Sequence, residues 1–513
     1  MIQPRAVSTR AAWLLVATFL VAVASLIYEL IAATLSSYLL GDSVRQFSFV
    51  IGVFLTTMGI GAYLSRYVSA ALVGFVWVQL TIGVLGGALA PALYFGYAYL
   101  GTTEMLLYAI LGLIGILSGM EIPLIARVLK EIGAAEFRFE NVLSVDYAGA
   151  LVAALAFPLL IVPQFGLMTA GLLFGTLNLA VAGVSIWLFR DRLSRSVGIV
   201  WAGVFALALV AIGQSERIVS VADAALFEDD LIISETTQYQ KVSVTQFRGR
   251  TRLFLDYSIQ FDTLDEYRYH EALVHPAMTQ APRRRSVLIL GGGDGMAVRE
   301  VLKYSDVDRV TLVDLDPRVT EIFRDHAQLA QLNEFSLSDP RVTIVSQDAW
   351  QFAQQSTDVF DVILIDLPDP KNISISKLYS GEFYALLMER LSPRGVWVSQ
   401  AGSPLFARQA YWSIVNTMQG LRNPASLGAS VSVVPYHVYV PSFGDWGFVM
   451  MSPLHHQGAG GELPDGLKFW TPGQQVASRL FDADSDRVSA LENSINSHVL
   501  LEYYRDGWNR WFQ

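Results

Sequence analysis

Seven apolar runs, each close to the ~20 residues a helix needs to cross ~30 Å of hydrocarbon, fill the first 213 residues and constrain the fold more than anything else in the sequence. They cover Ala11–Ala33, Phe47–Leu64, Ala71–Phe95, Glu104–Ala126, Val142–Val162, Met168–Phe189 and Val197–Gly213, the last being the shortest. After Gly213 the sequence becomes an ordinary soluble mixture. The 513 residues, 53% of them hydrophobic and 16% charged, therefore divide into a multi-pass transmembrane domain over 1–213, a linker and β-hairpin region over 214–281, and a further domain over 282–513. The first run is not a signal peptide, because it is too long, lacks a small-residue cleavage site and is followed by more spans.

Basic residues favour alternate loops. Arg5 and Arg10 precede the first run, Arg66 follows the second, Arg127, Lys130 and Arg138 follow the fourth, and Arg190, Arg192 and Arg195 follow the sixth, whereas the opposite loops offer Arg45 alone. The asymmetry predicts a cytoplasmic N-terminus. Three acids, Glu29, Glu121 and Asp146, lie within or at the edges of spans, where a charge is expensive. Two uses stay open for them: attraction of a cationic amine, or pairing with Tyr28, Tyr147, Asn141 or helix backbone that fixes the packing. Gly83, Gly86, Gly87, Gly112 and Gly115 suit close helix approach. The absence of cysteine excludes disulfides, thiolate metal sites and Cys nucleophiles. A net charge of −10 without a basic stripe argues against a nucleic-acid partner.

From Leu231 to Gln260 the pattern alternates with period two, as in KVSVTQF and TRLFLDY joined by Arg248–Arg250, which predicts a small β-hairpin region. Beyond Pro282 the strand-like runs SVLILGGG, RVTLVDLD, RVTIVSQD and DVILIDLPD are separated by helical stretches. That order predicts a Rossmann-like α/β domain of the class I methyltransferase type with a parallel sheet, completed by strands at Val396–Gln400, Val431–Val434 and Gly447–Met451. Gly291, Gly292, Gly293, Asp294 and Gly295 end the first strand and open a helix, a loop in which backbone can turn tightly beneath a ligand. Asp314 stands 23 residues beyond Gly291, where a carboxylate accepts both ribose hydroxyls. Asp348 ends the third strand, within reach of an adenine amino group, and Asp366 ends the fourth. Each acid alone could be a helix N-cap or a turn residue. Together they converge on the crevice where open α/β sheets bind ligands. Asp294 inside the glycine loop would repel a pyrophosphate or the carboxylate of S-adenosylmethionine, so the favoured ligand is an adenosyl sulfonium with an amine tail and no acid.

Tyr239-Gln240, LDYSIQ (Leu255–Gln260), DEYRYHEALVHPAM (Asp265–Met278), the GGGDG loop with REVLK after it, VDLD, QDA, DLPDP (Asp366–Pro370) and SQAGSP together resemble the spermidine synthase family of polyamine aminopropyltransferases. The resemblance runs from Tyr239 to about Phe448, and the apolar half resembles the spans fused to some bacterial members. It implies a transferase of polyamine biosynthesis in the bacterial inner membrane. Decarboxylated S-adenosylmethionine would be its co-substrate, putrescine or another polyamine its acceptor, and methylthioadenosine its by-product, with no cofactor and no metal. A homodimer and the lipid bilayer complete the implied partners. By the same resemblance Gln240, Asp294, Asp314 and Asp348, with Ala349 beside it, hold the adenosyl substrate. Tyr269, Asp366 and Asp369 orient the amine, His270 and Gln260 line the pocket, and Asp366 accepts the amine's proton. Substrates of this kind are made in the cytoplasm, whereas seven spans from a cytoplasmic N-terminus lead to the other side.

Four positions depart from the family. Asp314 replaces a longer Glu, Tyr257 replaces a Gly, DPKNISISKLYS replaces the usual DPxGPA continuation, and Phe443 occupies the place of a Tyr whose hydroxyl contacts the acceptor. With Lys371 added directly after the acidic loop, putrescine is expected to be used poorly. Acceptor-independent cleavage of the sulfonium and a membrane polyamine-binding or transport module are the alternatives. An ordinary S-adenosylmethionine methyltransferase is disfavoured by Asp294.

Overall fold

A computed structural model of the chain describes residues 4–40, 43–99, 103–134, 139–218, 221, 227, 229–423, 429–453 and 461–512. The chain forms two compact units, Met1–Thr245 and Gln246–Gln513. The boundaries expected after residues 213 and 281 lie on either side of that division.

Among the described residues the long helices of the first unit are α1 (Pro4–Leu40), α2 (Ser43–Leu64), α3 (Ala71–Tyr99), α4 (Thr103–Glu131), α5 (Phe139–Ala156), α6 (Val162–Leu188) and α7 (Arg195–Gly213). Six helical runs among the described residues are long and apolar enough to cross a membrane, Phe139–Leu188 counting as one run of 50 residues. A straight helix of that length would measure ~75 Å, more than twice the hydrocarbon thickness. It is not straight. A five-residue π-helical turn, Phe157–Ile161, joins α5 to α6, and Gly166 leaves helical geometry at φ 66° and ψ 173°. The expected fifth and sixth apolar runs lie on either side of this break.

Helix α2 packs on α4, α3 on α6, and α1 on α5. At the α2–α4 crossing a Cβ on Gly61 would overlap the Ile116 carbonyl, and one on Gly119 that of Met58, so bare backbone sets the approach. Glu121 is 3% exposed and accepts hydrogen bonds from Gln79 Nε2 (2.5 Å) and Ser25 Oγ (3.4 Å). Tyr28 is bonded instead to Asn178 (3.2 Å), so the partners of Glu121 are residues the sequence did not single out. Glu29 is buried and Asp146 partly buried.

Four short strands follow, β1 (Asp230–Thr236), β2 (Lys241–Phe247), β3 (Arg250–Leu255) and β4 (Ser258–Asp262); β3 and β4 pair antiparallel, and the division between the units falls inside β2. Asp256 and Tyr257 turn the β3–β4 hairpin with φ of 46° and 62°, so Tyr257 holds the left-handed conformation that glycine adopts more cheaply.

Helix α8 (Glu266–Gln280) leads into the main sheet of the second unit. Its strands are β5 (Ser286–Gly291), β6 (Arg309–Asp314), β7 (Val342–Ser346), β8 (Phe360–Asp366), β9 (Leu391–Gln400), β12 (Ser432–Val440) and β13 (Gly444–Ser452), in the spatial order β12-β13-β9-β8-β5-β6-β7. Two-residue strands β10 (Arg422–Asn423) and β11 (Ala429–Ser430) pair separately. Strands β5 to β9 run parallel, as expected, but β13 and β12 are antiparallel. The sheet is mixed because three residues separate β12 from β13, enough for a hairpin and far too few for the crossover that parallel pairing requires. Continuous apolar runs such as Val362–Ile365 are fully buried, and Ile363 and Ile365 on one face pack in a cluster with Phe383, Leu387, Tyr411 and Ile414 of the covering helices. Strand β5 is flanked by β6 and β8, so chain order reverses across it and a crevice opens at the carboxyl ends.

Candidate active site

The carboxyl end of β5 carries the glycine loop into that crevice. Gly291 has φ 80°, and a Cβ there would overlap the backbone carbonyl of Asp366, its register partner on β8. A Cβ on Gly293 would come within 2.7 Å of Asp314 Oδ2. The loop thus lies bare between two carboxylates. Asp314 Oδ2 accepts from Gly293 N (3.0 Å) and Oδ1 from Asp316 N (2.9 Å). Burial raises its pKa to about 6 against the pull of those two backbone N–H groups. Asp294, 8% exposed, accepts from Met296 N (2.9 Å) and is raised by burial, with the His270 charge opposing.

Asp366 meets the loop from the other side. Its Oδ1 accepts from the Tyr269 hydroxyl at 2.6 Å. Burial lifts Asp366 to about 6, His270 working against the shift and Asp294 with it. Tyr269 and His270 are adjacent on α8, and both are buried. Burial alone would depress His270, yet its hydrogen bond to Glu266 Oε2 (2.8 Å) and that carboxylate's charge lift it to about 9. An imidazolium therefore stands among the acids. Behind it a chain of charges continues: Glu266 takes both its oxygens to Arg299 (3.0 and 2.9 Å), Arg299 reaches Glu300 (3.0 Å), and Glu300 meets His275 (3.0 Å) and Lys303 (2.7 Å).

Beyond Tyr269 the site is walled by aromatic rings. Phe443 packs edge-on against Tyr269 with ring centroids 5.8 Å apart. The turn that carries it is tied to the start of α8 by Asp265, which accepts from Ser442 N (2.6 Å) and Ser442 Oγ (2.9 Å). Asp369 lies in the loop after β8, raised by burial and lowered by the Lys371 charge, the Tyr504 hydroxyl and the nearby Gln400 amide. Its Oδ2 accepts from Tyr504 OH at 2.7 Å, and its Oδ1 is buried without a hydrogen-bond partner. The loop backbone is held by Tyr379 OH, which donates to Pro368 O (3.0 Å), and by Gln400 Nε2, which donates to Leu367 O (2.6 Å). Lys371 Nζ donates to Ser258 Oγ (2.6 Å) on β4.

Asp294, Asp314, Asp366, Tyr269 and His270 therefore surround the glycine loop, with Asp369 and Phe443 on the flank. Asp348 stands at the neighbouring strand end, where it caps the helix Ala349–Gln355 through Trp350 N (2.8 Å) and Gln351 N (3.1 Å) and meets Lys377 Nζ (3.3 Å). Ala349 is the buried first residue of that helix. Gln260 Nε2 donates to Ser258 O (3.0 Å) within β4. Gln240 belongs to the first unit, where its N–H donates to Thr237 Oγ1 (3.1 Å). Sequence reasoning missed Glu266, Arg299, Tyr379, Gln400 and Tyr504. Glu266, Arg299, Tyr379 and Gln400 stood inside quoted segments without being singled out, whereas Tyr504 lies in an amphipathic stretch with nothing local to mark it.

The family described as Spermine/spermidine synthase domain matches residues 266–457. A polyamine aminopropyltransferase of Leptospira interrogans is 41% identical over 502 residues, covering 97% of this chain and 99% of that protein. Polyamine aminopropyltransferase 1 of Ralstonia nicotianae is 42% identical over 530 residues, covering 99% and 97%. A crystal structure of spermidine synthase from Thermotoga maritima aligns with a TM-score of 0.44 at 24% identity over 49% of this chain and 85% of that one. Both curated relatives align through the helical half as well as the α/β half.

Proposed function

Because the chain belongs to the polyamine aminopropyltransferase family, we propose that its second unit moves the aminopropyl group of decarboxylated S-adenosylmethionine onto a polyamine such as putrescine and releases methylthioadenosine. The attacking amine nitrogen forms a bond to the methylene carbon beside the sulfonium. The carbon–sulfur bond breaks, its electron pair remains on sulfur as a neutral thioether, and the proton of the amine passes to Asp366. The observation that carries this reading is Asp366 itself, a carboxylate raised to about 6 and oriented by the Tyr269 hydroxyl, next to a glycine loop bearing Asp294 and Asp314. Asp314 would accept the ribose hydroxyls, Asp294 the cationic tail, and Asp348 the adenine amino group. The sulfonium is already an activated leaving group, so what remains for the protein is alignment of nitrogen, carbon and sulfur and electrostatic holding of cations. Incubating the purified protein with decarboxylated S-adenosylmethionine, with and without putrescine, is expected to yield aminopropylated amine and methylthioadenosine in equal amounts by mass spectrometry. Release of methylthioadenosine at an unchanged rate without amine, and no aminopropylated product, would instead support acceptor-independent cleavage.

The helical half is proposed to span a lipid bilayer with its N-terminus in the cytoplasm, on the basic-loop asymmetry and the apolar length of its helices. A fluorescent reporter ahead of Met1 is expected to read the cytoplasm. The same reporter after Gln513 gives the parity of crossings: a cytoplasmic signal there requires an even number, and a far-side signal the odd number that the break at Gly166 suggests.

A further inference from the structure

Asp369 holds an unusual position for a carboxylate: one oxygen is buried without a partner and the other accepts the hydroxyl of Tyr504, a residue 135 positions away. Tyr504 is 9% exposed and lies on the helix Val499–Phe512, whose docking is well specified. Gly507 lets that helix approach until a Cβ would meet Ala407 Cα at 2.6 Å and Phe406 O at 2.8 Å. Trp508 and Trp511 then pack on Phe406, with ring centroids 5.0 and 5.4 Å apart. Phe406 in turn sits so close to Gly444 that a Cβ there would be 2.7 Å from its ring, which places this packing beside Phe443. The helix and the Phe443 turn are thus joined through one ring.

From this geometry we infer that Tyr504 is a positioning residue for the acceptor amine, its hydroxyl fixing Asp369 so that the free carboxylate oxygen meets an amino group of the acceptor. The inference rests on the aminopropyltransferase reading and deepens it. The hydroxyl that Phe443 cannot offer is supplied to the amine side from a different part of the chain. Putrescine is then a competent acceptor, in place of the poor one that Phe443 and Lys371 led us to expect. Lys371 donates to Ser258, which anchors its ammonium on the β4 hairpin.

The test is the full-length Tyr504→Phe variant, with Asp369→Asn and the double variant beside it, assayed for aminopropylated product. Tyr504→Phe is expected to raise the KM for putrescine about tenfold while kcat, the KM for decarboxylated S-adenosylmethionine and the melting temperature stay near wild type. In the Asp369→Asn background the same change is expected to add less than twofold, because its effect passes through that carboxylate. A putrescine KM within twofold of wild type in Tyr504→Phe overturns the inference. So does a parallel loss of affinity for both substrates with a lowered melting temperature, which would mark a purely structural contact. Wild-type protein that forms no aminopropylated product overturns the parent reading, so the two failures are told apart.

Discussion

Asp366→Asn is expected to lower kcat for aminopropyl transfer about 10³-fold and to leave the affinity for decarboxylated S-adenosylmethionine within a few-fold of wild type. Asn keeps the shape of the side chain and can still accept from Tyr269, so the loop around Gly291 has no reason to move. What disappears is the base. An ammonium has no lone pair with which to attack carbon, and no other group touching Asp366 can take its proton. His270 is held protonated by Glu266 and Tyr269 is raised far from neutrality by burial, so neither substitutes. The pH profile gives an independent check. Asp366 acts as base only when ionised, and its pKa is raised to about 6, so kcat/KM is expected to climb as pH rises through about 6 and to level above it. The Tyr269 hydrogen bond lowers that pKa, hence Tyr269→Phe should move the rise to higher pH. Retention of more than a tenth of wild-type kcat by Asp366→Asn would sink the assignment of this residue as base.

The second large effect is expected at Asp294. Asp294→Asn removes one charge and little else, because the amide oxygen can still accept from Met296 N at the turn. The KM for decarboxylated S-adenosylmethionine is expected to rise about 100-fold. A hydrogen bond to a charged partner contributes about 1.5–3 kcal/mol, and burial leaves little water to screen the loss. Discrimination should fall too. With the loop neutral, the extra carboxylate of S-adenosylmethionine no longer meets a like charge, so calorimetric titration should detect this ligand in the variant and much more weakly in wild type. A KM within threefold of wild type, with S-adenosylmethionine still rejected, would show that Asp294 serves only to start the helix after the loop.

The residues that the sequence exposed were those whose spacing has a mechanical reason. Gly291, Gly292 and Gly293 must be small because backbone and two carboxylates crowd the same turn, and Asp314 must end a strand to reach Gly293. Such constraints fix the residue type at set points of each strand end and leave a motif, even though the partners are 21 to 75 residues apart. Tyr504 leaves none: its partner is distant, and in VLLEYYRDGWNRWF it reads as one more aromatic on a docking face. Arg299 stood in the quoted REVLK run, yet only the fold shows that Glu266 and Glu300 flank it. The direction of β12 and β13 was hidden for a different reason. Their apolar patterns fit a buried strand of either sense, and the decisive fact is the three-residue gap, visible only once both strand ends are fixed. Partners inside the helical half were equally hidden, since Gln79 and Ser25 look like tolerated polar residues until Glu121 is seen between them.

The acids grouped around the glycine loop also bear on how turnover ends. In the proposed reaction the nucleoside enters with a sulfonium and an ammonium, and leaves as methylthioadenosine with neither. Asp294 then faces no positive group on the nucleoside, and the departing polyamine has taken the transferred charge with it. Only contacts indifferent to charge, such as those proposed between Asp314 and the ribose, would hold the by-product. A pocket of this kind binds its cationic nucleoside more tightly than its neutral remnant, so rising methylthioadenosine should inhibit weakly and the forward direction should resist stalling on its own by-product.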